Sequence, residues 1–302
     1  MAENAALSIG WLWLLRCNLL ILRLYTKTMS LAPVQLTIKP RKGWQPVDMQ
    51  ELWNFRELLG FLAWRDIKVR YKQTALGGLW AVVQPLIAMV IFAGLFSRIS
   101  SIHSDSPYLL FVYSGLVPWM FFANAITMAS NSLVGSEQMI RKIYFPRLFV
   151  PLGTIAALGL DVLIGLVFMA VLLAAYRWHI TLALLWLPFF VSTALLVSCG
   201  LGLILSALNV RYRDVKYIVP FFTQMALFVT PVVYPLSFVT GPYKALLFLN
   251  PMSGIVEGFR HALLGSPISP TLVATSTATS VALFFLGLYC FRRMELTFAD
   301  LI

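Results

Sequence analysis

The sequence is short of charge. Asp, Glu, Lys and Arg make up 12% of its 302 residues, about half of what a soluble domain carries. Only twelve residues are acidic, and they are scattered, so the loops hold no carboxylate cluster of the kind that metal-dependent glycosyl transfer at a membrane needs. Cysteine is scarce as well. Cys17, Cys199 and Cys290 lie far apart with no C-x-x-C spacing, which excludes a disulfide framework and a thiolate metal site. His103, His179 and His261 are isolated and lack metal-ligand spacing. No G-x-x-x-x-G-K-[ST] occurs, so the chain has no P-loop for ATP. These absences leave no signature of an enzyme, of a bound metal or of a cofactor in the chain.

What the sequence has is apolar surface. Sixty per cent of it is hydrophobic and its mean hydropathy is +0.82. A soluble fold of this size needs more polar surface than that, so lipid is the solvent for most of it. About 20 apolar residues cross the hydrocarbon as a helix. Six stretches qualify: 79–97, 108–134, 148–176, 180–208, 218–236 and 271–291. None has Lys or Arg in its middle, and Trp80, Tyr108, Tyr176 and Tyr289 sit near their ends as interface anchors. The expected fold is an all-α integral membrane protein with six transmembrane helices.

The net charge of +11 suggests nucleic acid until its placement is read. With both termini on one side, 19 of the 23 Lys and Arg residues fall on that side, and Arg98, Arg177, Lys244 and Arg260 fall on the other. The positive-inside rule then puts both termini in the cytoplasm. Residues 7–25 are apolar but interrupted by Arg16, Asn18 and Arg23. They read as an interfacial segment, or as a stretch upstream of a true start at Met29. The expected divisions are an N-terminal extension over 1–48, partly disordered or interfacial, an interface helix over 49–75 and a membrane domain over 76–302.

Several segments have the character of working parts. Residues 50–72 predict an amphipathic helix with Leu52, Phe55, Leu58, Leu59, Leu62 and Val69 on one arc, opposite Asn54, Glu57, Arg65, Lys68 and Lys72. Asp66 and Arg70 interrupt the apolar face. Such a helix lies in the membrane interface. It either anchors the first span or offers its bases to an anionic head group. The loop with Glu137, Gln138, Arg141 and Lys142 predicts a short helix ending near Pro146. Residues 209–217, with Arg211, Arg213, Asp214 and Lys216, predict another. Both are ordinary basic loops or contacts for a partner.

Asp161 is the one acid deep within a span. It shares a face with Gly153, Ala157 and Gly165, a spacing that favours close helix contact. It is therefore expected to be hydrogen-bonded against another helix, a proton relay being the alternative. Ser198, Gly202 and Ser206 make a similar face. Between spans five and six, residues 237–270 hold a short apolar piece and a longer helix broken at Asn250-Pro251. They predict a re-entrant pair or a surface loop, with Glu257 and His261 as a local pair.

Taken together, RDIKVRYKQTALGGLWAVVQPL (65–86), GLVPWMFFANAI, IRKIYFPRLFVPL, YRDVKYIVPFFTQ, TPVVYP, LNPMSGIVEGFRHALLG and FRRMELTFADLI resemble the ABC-2 family of permeases, in the branch that exports lipid-linked O-antigen, capsule or teichoic polymers. The likeness runs from about residue 50 to the end. It implies a homodimeric pore in the bacterial inner membrane, with two cytoplasmic ABC ATPase subunits that bind ATP and Mg. It implies coupling contacts near 135–145 and 209–217, and a re-entrant helix pair at 237–265. It suggests Arg65, Lys68, Arg70 and Lys72 for docking the lipid pyrophosphate, and Tyr113, Trp119, Phe122 and Tyr234 as stacking surfaces for sugar rings. Rival readings are a drug- or small-lipid-exporting ABC-2 permease, an ion-coupled transporter or channel without an ATPase, and a membrane enzyme of glycan assembly.

Overall fold

The computed structural model describes residues 49–72, 77–96, 106–179, 181–239, 241, 243–295 and 298. The extension over 1–48, with the segment 7–25 and Met29, lies outside them. Every regular element among the described residues is helical. Two helices, α1 (Met49–Asn54) and α2 (Arg56–Lys72), precede a 3-10 turn and α3 (Trp80–Phe96). Then come α4 (Tyr108–Gly135), the short α5 (Glu137–Lys142), α6 (Phe149–Ala175) and α7 (Leu187–Arg211), which a 3-10 turn introduces. After them α8 (Val215–Val229) leads to the short α9 (Tyr243–Leu249), α10 (Pro251–Leu264) and the final α11 (Pro270–Glu295).

Among the described residues five stretches are long and apolar enough to cross a membrane: Gly77–Phe96, Tyr108–Gly135, Phe149–Ala175, Leu182–Arg211 and Pro270–Glu295. The stretch expected over 218–236 is the shorter α8, of 15 residues. At 1.5 Å per residue it is about 22 Å long, less than the roughly 30 Å of hydrocarbon. It stops because Pro231 forces the preceding Thr230 out of the helical region, to ψ 139°. The span expected over 180–208 is displaced. Its helix proper begins at Leu187, with Pro188 in the first turn where a missing N–H costs nothing, and it runs on to Arg211.

Helix α4 is the core. It packs on α6, α7, α8 and α10, and its side chains from Leu110 to Leu133 are mostly buried. By contrast α3 and α8 leave broad apolar faces open, with Ile87, Val90, Ile91 and Leu95 on one and Phe221, Phe222, Met225 and Phe228 on the other. Successive long helices alternate in direction. One end of the bundle therefore gathers α2, α5, the α7–α8 turn and Arg292 and Arg293. This is the basic end. The far end gathers the loops after α6 and α8, the pair α9–α10 and the start of α11.

The pair α9–α10 breaks at Asn250-Pro251, as the sequence suggests. Asn250 caps α10 by accepting the Met252 N–H at 3.0 Å, and its amide donates to Thr230 Oγ1 at 2.9 Å. Gly265 closes α10 in the left-handed conformation, φ 74°. Most of α10 is buried against α4, α7 and α11, so this segment folds back into the bundle.

Helices α7 and α11 meet backbone to backbone. The contact needs glycine on both sides: a Cβ on Gly287 would strike the Gly200 carbonyl oxygen, and one on Gly200 would meet Leu283 O at 2.5 Å. Gly287→Ala should therefore separate the two helices and lower stability by about 1–3 kcal/mol. Gly94→Ala, whose Cβ meets nothing within 4 Å, should leave stability unchanged or slightly raised. Thermal melting of the two purified variants checks this, and equal melting points would refute it.

Candidate functional site

At the basic end α2 lies along α6. Leu62 is fully buried, and Gly153 makes room for it: a Cβ there would sit 3.1 Å from Leu62 Cβ. Toward the C-terminus of α2 the contact turns polar. Thr154 Oγ1 donates to Asp66 at 2.8 Å, and Asp66 also takes Arg65 at 2.8 Å. One turn on, Arg70 pairs with Asp161 at 2.9 Å, and the Tyr71 hydroxyl donates to the other Asp161 oxygen. Thr154 and Asp161 are seven residues apart, so they present one face of α6 to Asp66 and Arg70, four apart on α2. Burial, followed by the Asp161 carboxylate, pushes the Tyr71 hydroxyl above its ordinary range, which keeps the donating proton in place.

The expected apolar arc holds for Leu52, Phe55, Leu58, Leu59 and Leu62, which are buried or half-buried, and fails in the last turn. Asp66 and Arg70, which interrupt the apolar arc, make polar contacts between α2 and the span. Val69, placed on that arc, is 73% exposed, as are Trp53, Phe61 and Trp64 in large part. The reason is that an interface helix has protein on one side and lipid head groups on the other. Apolar side chains can thus face outwards while polar ones meet polar partners on the protein side.

The four expected docking bases therefore divide. Arg65 and Arg70 are engaged by carboxylates, and each also reaches a methionine sulfur, Met139 and Met128 respectively. Lys68 and Lys72 are exposed on the outer side, with Lys68 Nζ 5.4 Å from the Trp64 ring centre.

Residues Glu137, Gln138, Arg141 and Lys142 do form a short helix, α5, anchored by buried Ile140. Its Glu137–Arg141 pair at 2.8 Å is exposed and adds little stability. The helix expected over 209–217 is not a separate element. Helix α7 continues to Arg211, residues Tyr212, Arg213 and Asp214 make the turn, and α8 starts at Val215. No Gly or Pro follows Leu208 to stop α7, and buried Asn209 donates to Ser130 O on α4 at 2.9 Å. The turn exposes Arg211, Arg213, Asp214 and Lys216 beside α5's end of the bundle, with Tyr212 and Tyr217 between them.

The four expected aromatics do not share a surface. Tyr113 is wholly buried, its hydroxyl donating to Gly165 O at 3.3 Å. Trp119 and Phe122 touch each other in the core, ring centres 5.6 Å apart. The Tyr234 hydroxyl caps α8, donating to Val229 O at 3.0 Å. Of the four, Trp119 lines a groove of about 510 Å³ between α3, α4 and α8. Gln84, Asn124 and Gln224 line this groove with it. Gln84 and Asn124 also reach a cavity of about 30 Å³ beside Asp161. These amides were missed by looking for ionisable groups alone. Their signal was present, since each is an uncharged polar residue in the middle of an apolar stretch.

The ABC-2 type transporter pattern matches residues 57–264, from α2 to the end of α10. The chain belongs to the ABC-2 type transporter family. It is similar to the O-antigen export system permease protein RfbA of Klebsiella pneumoniae, 26% identical over 247 residues, which cover 82% of this chain and 95% of that protein. RfbA of Myxococcus xanthus is 29% identical over 264 residues, covering 83% and 98%. The polysialic acid transport protein KpsM of Escherichia coli is 26% identical over 245 residues, covering 76% and 91%. In this ABC-2 transporter the matched region includes both the α2–α6 contact and the amide-lined groove.

The α2–α6 contact makes a test possible. Asp161→Ala leaves Arg70 and Tyr71 without their acceptor, and Arg70→Ala leaves a carboxylate within a span. Each change should lower stability by about 1–3 kcal/mol. In a double-mutant cycle read by thermal melting, the two losses should overlap by 0.5 kcal/mol or more, roughly the range for residues in contact. Simple additivity would reject the coupling.

Proposed function

We propose that this chain is the transmembrane permease subunit of an ATP-driven exporter that moves a lipid-linked polysaccharide, of O-antigen, capsule or teichoic type, across the bacterial inner membrane. The observation that carries this reading is the similarity along almost the whole length of permeases named for O-antigen and polysialic acid. The chain has no P-loop. ATP and Mg accordingly belong to two partner ATPase subunits, which dock at the basic end against α5 and the α7–α8 turn. Both termini are cytoplasmic in this reading, as the bias of Lys and Arg favours.

Two copies form the working unit. The open apolar faces of α3 and α8 flank the groove lined by Trp119, Gln84, Asn124 and Gln224, and a second copy laid against them closes two grooves into one path. Amides exchange hydrogen bonds with sugar hydroxyls as the glycan passes, and no charge has to be desolvated. The lipid pyrophosphate docks at Lys68 and Lys72, which are free to face the head-group layer, while Arg65 and Arg70 hold the helix in position. ATP-driven closure of the ATPases reaches the spans through α5 and the turn, and α2 follows α6 through Asp161.

Deleting the gene should remove surface polysaccharide and leave lipid-linked glycan in the cytoplasmic leaflet. Unchanged surface polysaccharide would reject the function. Lys68→Glu with Lys72→Glu should slow export severalfold while the ATPase still copurifies. Normal export by that variant would reject the docking role.

A further inference from the structure

The far end of the bundle holds a cavity separate from the groove between α3, α4 and α8. Its volume is about 320 Å³, enough for a small ligand. Phe111, Trp178, Ser237, Glu257, Ser266 and Ser269 line it, from four different parts of the chain. Lipid-facing surface does not need a carboxylate and four serines, Ser106 being the fourth, so the composition itself calls for explanation.

The carboxylate is held in place from below. Glu257 Oε1 accepts from Arg260 at 2.9 Å. Arg260 is fully buried; it also donates to Val232 O and to Phe111 O, and its guanidinium lies 3.6 Å from the Phe111 ring centre. The guanidinium is thus committed inside the protein and cancels the charge of Glu257. Among the described residues Glu257 Oε2 has no protein donor. The expected Glu257–His261 pair does not form, because His261 turns to Ser266 O at 2.7 Å. A buried ion pair contributes little net stability compared with apolar packing, so stability alone does not account for this one.

The aromatic wall is held with similar care. Helix α6 ends with Arg177 in the left-handed region, φ 50°, an uncommon conformation for a residue other than Gly. Arg177 N donates to Ala174 O at 3.1 Å and Trp178 N to Leu173 O at 2.9 Å, which closes the helix and turns Trp178 onto the cavity. The indole N–H then donates to Leu264 O at 3.4 Å, fixing the orientation of the ring.

We propose that this cavity binds one neutral sugar residue of a carbohydrate chain, with the apolar face of the pyranose against Trp178 and its hydroxyls donating to Glu257 Oε2. The serines offer further partners for the remaining hydroxyls. An acyl chain would leave the carboxylate oxygen unpaired. An acidic sugar would meet a carboxylate and no available cation, since Arg260 is already used. Given the exporter reading, on which this inference rests, the site lies at the exit and holds the emerging glycan against backsliding.

The test uses the full chain in nanodiscs of phosphatidylethanolamine and phosphatidylglycerol, which carry no sugar head group. Saturation-transfer NMR is recorded with methyl α-mannopyranoside, methyl β-galactopyranoside and, as the charged comparison, N-acetylneuraminic acid. At least one neutral pyranoside should receive saturation at its ring protons, with N-acetylneuraminic acid weaker. Trp178→Ala should lower affinity tenfold or more. Ser237→Phe, a change at an exposed position, should fill the cavity and do the same with the melting point unchanged, so a folding defect in the Trp178 variant does not shield the proposal. No signal from either neutral sugar, equal binding of the acidic one, or unaltered binding in Ser237→Phe would overturn it. Surface polysaccharide in the deletion strain is scored separately: if export depends on the gene while sugar binding fails, the site is rejected and the function stands.

Discussion

Hydrocarbon offers no hydrogen-bond partner, and the architecture follows from that. Every backbone N–H and C=O in a span must be satisfied within the protein, so the spans are helices. The same pressure acts on side chains. Thr127 donates to Ala123 O at 2.7 Å, Thr193 to Phe189 O at 2.9 Å and Ser280 to Ser276 O at 2.7 Å, each returning to its own helix. Charged groups have no such local acceptor, and they draw distant elements together.

Two charged clusters do this at opposite ends. At the basic end Asp161 binds Arg70 and Tyr71, so an element outside the span list is tied to a span. At the far end Arg260 joins α10 to the start of α4 and to the turn after α8, where Tyr108 also donates to Val233 O at 2.8 Å. Helix α4 lies between these clusters and touches most of the bundle. From the basic end to the far end there is a continuous packed route through α6 and α4.

Packing in lipid reverses the usual contrast between inside and outside. Large apolar residues can face outwards, as on α3 and α8, while contacts between helices favour small ones, as at Gly200 and Gly287. Gly153 receives Leu62, and Gly165 lies against Val117 and near the Tyr113 hydroxyl. The stripe of small residues around Asp161 thus serves two neighbours, α2 and α4.

The sequence by itself determined the class of protein and, among the described residues, five of the six expected spans. These depend on hydrophobic length and on the placement of charge, both of which are local and additive. It also marked Asp161, because one acid in an apolar stretch stands out without knowledge of its neighbours, and it marked the breaks at Pro146 and Asn250-Pro251. Helix ends were less legible. Continuation of α7 to Arg211 depends on Asn209 bonding to α4, a contact 79 residues away in the chain. Only the tertiary structure decided what each polar residue faces. Arg70 and Lys68 are alike in the sequence, yet one meets Asp161 and the other faces outwards. Trp119 and Phe122 belong to one motif, yet Trp119 lines the groove and Phe122 does not. Glu257 was expected to pair with His261 on its own helix, and the depth of Arg260 under Phe111 gave it Arg260 instead. Pairing and burial depend on which helices come together, and that depends on packing summed over the whole bundle rather than on any local run of residues.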